Sequence, residues 1–414
     1  MSDTTTSMAG AAGEAATELA AGRVILKPRK ARPFYGRHPW VLASAVAHVE
    51  GDPPNGDVVD LHADSGKFIA RGLYNAQSRI RVRLYTWDAD QPLDSPFFGE
   101  RLRRAIDWRV QLGLDEPHGA ARLVYSEADG ISGLIVDRYG PYLCVQVTSL
   151  ALAGRLDSLL DTLTELTQPR GIFLRTEKGA AAAEGITLRD GLCRGEAPDG
   201  PAFIVENDLR YGIDLAEGQK TGYYLDQRDN RRAAAGYMRG RRVLDMFCYS
   251  GGFALNAAKH GRAREVIGYD ASQRAVALAR ANAELNGITN VRFEAADCFD
   301  ALDALNAAGE RFGAVVLDPP KFARSRGAVR DAMRAYHRVN RLAVNLLEPD
   351  GILVTCSCSG HVLREDFQNM LLGVAEQTGR DIQILELRGA AADHPTSVTC
   401  LESEYLKCFV CRVL

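Results

Sequence analysis

The sequence predicts an α/β fold whose C-terminal half is doubly wound, preceded by a small β-barrel and a small α+β domain. Three observations carry that prediction. After about Glu206, short apolar runs alternate with helical segments, which is the pattern of a mostly parallel sheet covered by helices. The first of these runs, Val243-Leu-Asp-Met, leads through Ser250-Gly-Gly252 into a helix, so a glycine turn sits where such sheets bind ligands. Acidic residues then close the strands in order: Asp245, Asp270, Asp297 and Asp318.

Each segment has its own reason. The chain has 414 residues, and domains commonly run to roughly 100–200, so two or three are expected. Residues 1–21 are rich in Ala, Gly, Ser and Thr, with no basic start and no sustained apolar block, and read as a loose tail rather than a secretory signal. From 22 to 95, β-rich segments such as Gly56-Asp-Val-Val-Asp-Leu-His and Lys67-Phe-Ile-Ala-Arg-Gly-Leu-Tyr are broken by Asp, Pro, Asn and Gly, which suggests the barrel. The break Gln91-Pro-Leu-Asp-Ser-Pro96 leads into a helix over Phe97–Gly113. The α+β domain, 96 to 205, follows in strand–strand–helix–strand order, and 206 to 414 is the doubly wound domain.

Composition excludes several classes. With 46% hydrophobic and 25% charged residues the chain reads as globular, and no run approaches the ~18 apolar residues of a membrane helix. The net charge of −3 argues against coating nucleic acid by bulk electrostatics but leaves room for a local basic surface. Arginines do cluster, at Arg79, Arg81 and Arg83 and again from Arg324 to Arg341. The nine cysteines are scattered, with one C-x-C at Cys356 and Cys358 and one C-x-x-C at Cys408 and Cys411 but no second pair to complete a zinc site, so no metal and a reducing, cytoplasmic setting are expected.

The glycine turn lacks the G-x-G-x-x-G spacing that cradles a pyrophosphate, which favours an adenosine cofactor without phosphates. S-adenosylmethionine fits that description better than NAD. Asp270 ends the second strand about 20 residues on, where a carboxylate meets ribose hydroxyls. Asp297 is placed to accept from an adenine amino group. Gly251 and Gly252 let backbone approach a ligand. The cofactor set is therefore Asp245, Ser250, Gly251, Gly252, Asp270, Asp297 and Asp318.

The fourth strand ends in Asp318-Pro-Pro-Lys321 and the fifth in Thr355-Cys-Ser-Cys-Ser-Gly360, so a carboxylate and a thiol are expected to meet on the cofactor rim. A thiol has a clear use there. Carbon 5 of a pyrimidine is a poor nucleophile, but a thiolate adding to carbon 6 turns the ring into an enamine-like species that attacks a sulfonium methyl group. A protonated Asp318 can stabilise the cytosine adduct at ring nitrogen 3. Nothing in the sequence marks the base that removes the carbon-5 proton.

With Asp318-Pro-Pro-Lys-Phe322 and Ser357-Cys-Ser-Gly360 go three further stretches: Arg37-His-Pro-Trp40, Gly218-Gln-Lys-Thr-Gly-Tyr-Tyr-Leu-Asp-Gln-Arg-Asp-Asn230 and Ala392-Asp-His-Pro395. Together they closely resemble the bacterial large-subunit rRNA cytosine-C5 methyltransferase I family, over nearly the whole chain past the tail. The resemblance implies an N-terminal PUA domain, a central α+β domain and a Rossmann-like class I methyltransferase domain acting on a cytosine of 23S rRNA. It places the catalytic cysteine on Cys358 and the fourth-strand aspartate on Asp318. Cys356 is a second thiol on the same face of an extended strand. Lys220 and Thr221 are expected to close over cofactor or RNA. Arg37 and Trp40 are expected to pair a phosphate contact with an aromatic platform, and Lys321 joins that RNA-contacting set. The partners expected are 23S rRNA or a large-subunit assembly intermediate, and a homodimer is one option. Two rivals stand beside this reading: methylation of a guanine nitrogen, which needs no thiol, and a non-catalytic RNA-binding assembly factor, against which the intact Asp245, Gly251, Asp270 and Asp318 argue.

Overall fold

The computed structural model describes residues 20–215, 222–323 and 325–414. Most of the expected N-terminal tail, together with Lys220, Thr221 and Arg324, lies outside the described residues. The chain divides into two compact units, with the boundary between Glu100 and Arg101 inside the helix Ser95–Gln111.

The first unit is built on six strands: β1 (Gly22–Leu26), β2 (Trp40–Leu42), β3 (Val46–Glu50), β4 (Val58–His62), β5 (Phe68–Tyr74) and β6 (Ile80–Thr86). They pair in the order β2-β6-β5-β4-β1-β3, antiparallel except for the parallel β1–β4 contact. Val24, Leu26, Val41, Val59, Leu61, Val82 and Leu84 fill its core. The arginines of β6 and its approach do not share one wet face. Arg83 is only 7% exposed and Arg81 bonds the Asn75 carbonyl, which leaves Arg79 as the exposed member.

The second unit opens with a five-stranded sheet in the order β11-β10-β9-β8-β7, from β7 (Ala120–Tyr125), β8 (Leu134–Tyr139), β9 (Tyr142–Val147), β10 (Gly171–Arg175) and β11 (Gly191–Gly195). The helix Leu156–Thr167 makes the crossover that lets β9 and β10 run parallel. A hairpin of β12 (Ala202–Glu206) and β13 (Leu209–Ile213) follows, with Glu206 at its inner end.

The main sheet has seven strands: β14 (Arg242–Met246), β15 (Glu265–Asp270), β16 (Val291–Ala295), β17 (Phe312–Leu317), β18 (Leu347–Ser357), β19 (Ile382–Arg388) and β20 (Lys407–Val413). Their order is β16-β15-β14-β17-β18-β20-β19, so the chain reverses its direction of winding between β14 and β17. All five expected parallel strands form, and β20 inserts antiparallel between β18 and β19. Every residue of β17 is buried, as its unbroken Phe-Gly-Ala-Val-Val-Leu run requires of a central strand.

Alternation along the strands divides two cores. Val243, Val266, Ala314, Val316 and Val354 face the helices Gly252–Lys259 and Gln273–Leu285. Leu244, Ile267, Val315, Leu317 and Leu353 face the helices Cys298–Ala307, Val329–Leu346 and Arg364–Thr378. Tyr139, Tyr142 and Phe173 of the five-stranded sheet belong to the first of these cores, because the hairpin's Ile204, Tyr211 and Ile213 pack between.

Candidate functional site

The carboxyl ends of β14, β15, β17 and β18 meet at the winding reversal, the position where open α/β sheets hold ligands. The turn after β14 is tight. Phe247, Tyr249 and Gly251 all have positive φ, at 63°, 47° and 84°. Gly251 caps the helix Gly252–Lys259, and a Cβ there would stand 3.0 Å from the Phe293 ring. At Gly252 a Cβ would come within 2.5 Å of the Arg231 side chain. Gly251 is thus required by a left-handed backbone and Gly252 by its packing against Arg231.

Asp245 is 1% exposed. Its Oδ2 accepts from the Ala254 backbone N–H at 2.9 Å, while Oδ1 is buried without a hydrogen-bond partner. Burial pushes this carboxyl up to about 8, against the opposing Ala254 bond. Ser250 is buried in the same turn, its carbonyl held by Asn282 at 3.1 Å. Asp270 ends β15 and is fixed from both sides, accepting from Tyr249 N at 3.0 Å and Ser272 N at 2.9 Å. Asp297 caps the helix Cys298–Ala307, its Oδ1 taking the N–H groups of Phe299 and Asp300 at 2.9 and 3.2 Å. That capping role accounts for the residue type at this position whatever else it contacts.

The residues expected at the reaction centre lie on neighbouring strand ends. β17 and β18 are parallel neighbours, with Leu317 opposite Thr355. Cys358 lies just past β18, half-buried, with Sγ 3.9 Å from the Pro319 carbonyl. Its flanking serines are both buried and turned the other way. Ser357 Oγ donates to Tyr336 Oη at 3.0 Å, and Ser359 Oγ shares a 3.2 Å bond with the same hydroxyl while accepting from Ala323 N. The Ser-Cys-Ser pattern therefore anchors a turn on Tyr336 from either side of the thiol.

Cys356 differs from Cys358 in its surroundings. It is fully buried, opposite Cys408 of β20, and burial pushes its thiol well above the usual range. No geometric rule available from sequence separates the two thiols, yet burial does.

The stretch before β14 supplies buried polar residues whose partners the local sequence does not reveal. Gln227 is 2% exposed and donates from Nε2 to Asp318 Oδ1 at 3.0 Å, while its Oε1 accepts from Asn230 at 2.6 Å. Arg231 makes a buried ion pair with Glu206 at 2.7 Å and covers the Tyr223 ring at 4.4 Å. Arg228 reaches Asp393 at 3.0 Å. A polar run that continues through an apolar neighbourhood was the available signal. Lys407 had a similar one, as the only charge opening the apolar Lys-Cys-Phe-Val-Cys strand.

Arg37 and Trp40 belong to the first unit. Arg37 is exposed, with its guanidinium 6.0 Å from the Trp87 ring, and Trp40 is half-buried against the edge of His38 at 6.0 Å. Lys321 is exposed after the Asp318-Pro-Pro turn.

This fold and rim define a class I S-adenosylmethionine-dependent methyltransferase carrying an N-terminal PUA-like domain. Family models agree: residues 24–87 match a PUA-like domain and residues 192–388 an S-adenosylmethionine-dependent methyltransferase. The chain is 40% identical over 397 residues to ribosomal RNA large subunit methyltransferase I of Aeromonas hydrophila, covering 95% of this chain and 100% of that one. It is 38% identical to the protein of that name from Escherichia coli O139:H28, covering 95% and 99%. The chain belongs to the ribosomal RNA large subunit methyltransferase I family. A solved structure from Streptococcus mutans, described as a SAM-dependent methyltransferase, shares the fold with a TM-score of 0.81 at 19% identity, covering 94% of this chain and 99% of that chain.

Proposed function

We propose that this protein transfers a methyl group from S-adenosylmethionine to carbon 5 of a cytosine in 23S rRNA through a covalent cysteine adduct. The observation that carries the reading is the placement of Cys358, a half-buried thiol at the carboxyl ends of the strands, 3.9 Å from the Pro319 carbonyl of the Asp318-Pro-Pro turn and flanked by buried serines.

The residues present fit the cofactor. A buried carboxyl oxygen without a hydrogen-bond partner, Asp245 Oδ1, is placed for the cofactor's ammonium group, whose charge would draw off the carboxyl proton, and Asp270 is held rigid where ribose hydroxyls would meet it. Ser250, Gly251 and Gly252 would line the approach, with Asp297 at the adenine end. When bound, S-adenosylmethionine supplies an electrophilic sulfonium methyl group.

The chain's own residues do the rest. Cys358, as thiolate, adds to carbon 6 of cytosine and makes carbon 5 nucleophilic. Asp318, oriented by Gln227 and carrying a proton, donates to ring nitrogen 3 and stabilises the negative charge that develops there. Once carbon 5 has formed its bond to the methyl group, its proton passes to water, the carbon 6–sulfur bond breaks to release the thiolate, and the ring is restored. Thiolate addition and sulfonium transfer need no metal, so a metal-free site belongs to the same reading.

The division of labour follows the modules: 22–95 and Arg37, Trp40 and Lys321 for RNA, 206–414 for chemistry, with 96–205 between them. The substrate is 23S rRNA or a large-subunit assembly intermediate, which puts the protein in the cytoplasm. Among the described residues no helix is long and apolar enough to cross a membrane. Sedimentation tests the homodimer that the sequence leaves as one option.

RNA bearing 5-fluorocytosine tests the chemistry, because fluorine replaces the proton whose removal frees the enzyme. Wild type and Cys356→Ala should trap a covalent adduct, and Cys358→Ala should trap none and fail to turn over. Full methylation by folded Cys358→Ala would defeat the covalent mechanism and favour a nitrogen target.

A further inference from the structure

Lys407 is a buried cation with no carboxylate at ion-pair distance among the described residues. It opens β20, opposite Ser357 in the antiparallel ladder with β18, and is 3% exposed. Two of its three N–H bonds are spoken for: Nζ donates to the Ser359 carbonyl at 2.8 Å and to the Tyr405 carbonyl at 2.8 Å. Both acceptors are neutral. An ammonium buried on neutral carbonyls is costly unless a negative charge forms nearby, because removal from water penalises the charged form.

We propose that Lys407 is a positioning residue for methyl transfer: its ammonium grips the backbone of the Ser357-Cys-Ser-Gly turn through the Ser359 carbonyl and stabilises the Cys358 thiolate beside it. The proposal rests on Cys358 being the nucleophile. When the thiolate forms, the thiol proton leaves to solvent and Lys407 keeps its own, so a −1 charge arises one residue from the carbonyl that holds the +1 charge and no other bond changes.

The electrostatics agree with the geometry. Burial pushes Lys407 down to about 8, and the charge on Cys358 is the largest influence opposing that fall. Linkage is reciprocal, so what the thiolate does for the ammonium the ammonium does for the thiolate. Other groups face the pair from each neighbouring element: Asp318 and Lys321 after β17, Tyr224 before the helix Arg228–Ala235, Tyr336 from the helix Val329–Leu346, Arg364 at the start of the next helix, and Glu404 before β20. Asp318 opposes a thiolate only when it is ionised. Arg364 is paired with Glu404 at 2.9 Å, and Lys321 is exposed, so Lys407 is the buried cation of the set.

Iodoacetamide alkylation of the full-length protein, followed peptide by peptide from pH 6 to 9, tests this without RNA or cofactor. Cys193, the other half-buried thiol, serves as internal control. In wild type the Cys358 rate should rise at lower pH than the Cys193 rate. Lys407→Met should slow Cys358 at pH 7 by ~10-fold relative to Cys193, and Lys407→Arg should restore most of the loss. Methyl transfer should lose kcat to a similar degree, with its pH profile displaced upward and KM for RNA kept. A Cys358 to Cys193 ratio in Lys407→Met equal to wild type at every pH overturns the proposal. So does a wild-type Cys358 curve that is not displaced below that of Cys193, a result independent of whether the variant folds. Should methylation survive Cys358→Ala while the alkylation shift is seen, the nucleophile assignment falls and the Lys407–Cys358 pairing stands.

Discussion

Gln227 donates its side-chain amide to Asp318 at 3.0 Å, across 91 positions of sequence, and so ties the segment before the catalytic sheet to the end of its fourth strand. The amide is itself oriented by Asn230, whose Nδ2 also holds the Gly389 carbonyl at 2.9 Å.

Gln227→Leu keeps the volume but strips Asp318 of a donor and Asn230 of an acceptor. We expect kcat/KM to fall by ~10- to 100-fold, the cost of leaving buried polar partners unsatisfied, with cofactor affinity largely retained. Single-turnover methylation of rRNA measures it. Wild-type rates in folded Gln227→Leu would remove the residue from the site.

The buried carboxyl of Asp245 gives the cofactor-free protein a pH dependence of known sign. Its folded value, about 8, lies above the ordinary 3.8, so between those limits the folded state holds the extra proton. Its contribution is fully present below about pH 4 and is lost as pH rises through about 8. Thermal stability without cofactor should therefore decline from pH 5 to 8 more steeply in wild type than in Asp245→Asn. Parallel curves for the two proteins would show that Asp245 is ionised throughout.

Asp393 joins the five-stranded sheet to the catalytic domain. It is 0% exposed; Oδ2 accepts from Arg122 N at 2.9 Å and from Arg228 at 3.0 Å, Oδ1 meets His394 at 2.9 Å, and its carbonyl takes Arg109 at 2.8 Å. Burial alone would raise this carboxyl, but His394, Arg228 and the Arg122 N–H outweigh it and hold it well below the usual range. Asp393→Ala leaves the Arg228 charge without its partner and should cost ~3–5 kcal/mol in urea unfolding. A loss below ~1 kcal/mol, the scale of an exposed pair, would mean that water reaches the cluster.

Much of this protein was legible in its sequence because the relevant signals are local. The alternation of strands and helices after Glu206, the glycine turn and the acidic residue at each strand end all follow from periodicity and backbone rules that act over a few residues. The strand-end rule brought Asp318 and Cys358 together, since residues at the carboxyl ends of adjacent parallel strands must meet. The internal demand on Gly252 was invisible, because it comes from Arg231, 21 positions earlier in the chain.

What tertiary structure alone decided is which polar groups are buried, and against what. Cys356 and Cys358 are two residues apart and chemically identical; only the insertion of β20 beside β18 covers the first while the turn past the strand leaves the second at the rim. That antiparallel strand also delivers Lys407 to the Ser359 carbonyl, 48 positions away. The sequence by itself determined the kinds of side chain and the strand ends that hold them. Burial set their ionisation and reactivity, because the cost of a charge depends on its distance from water and its nearest partner, and both are fixed only when distant segments pack.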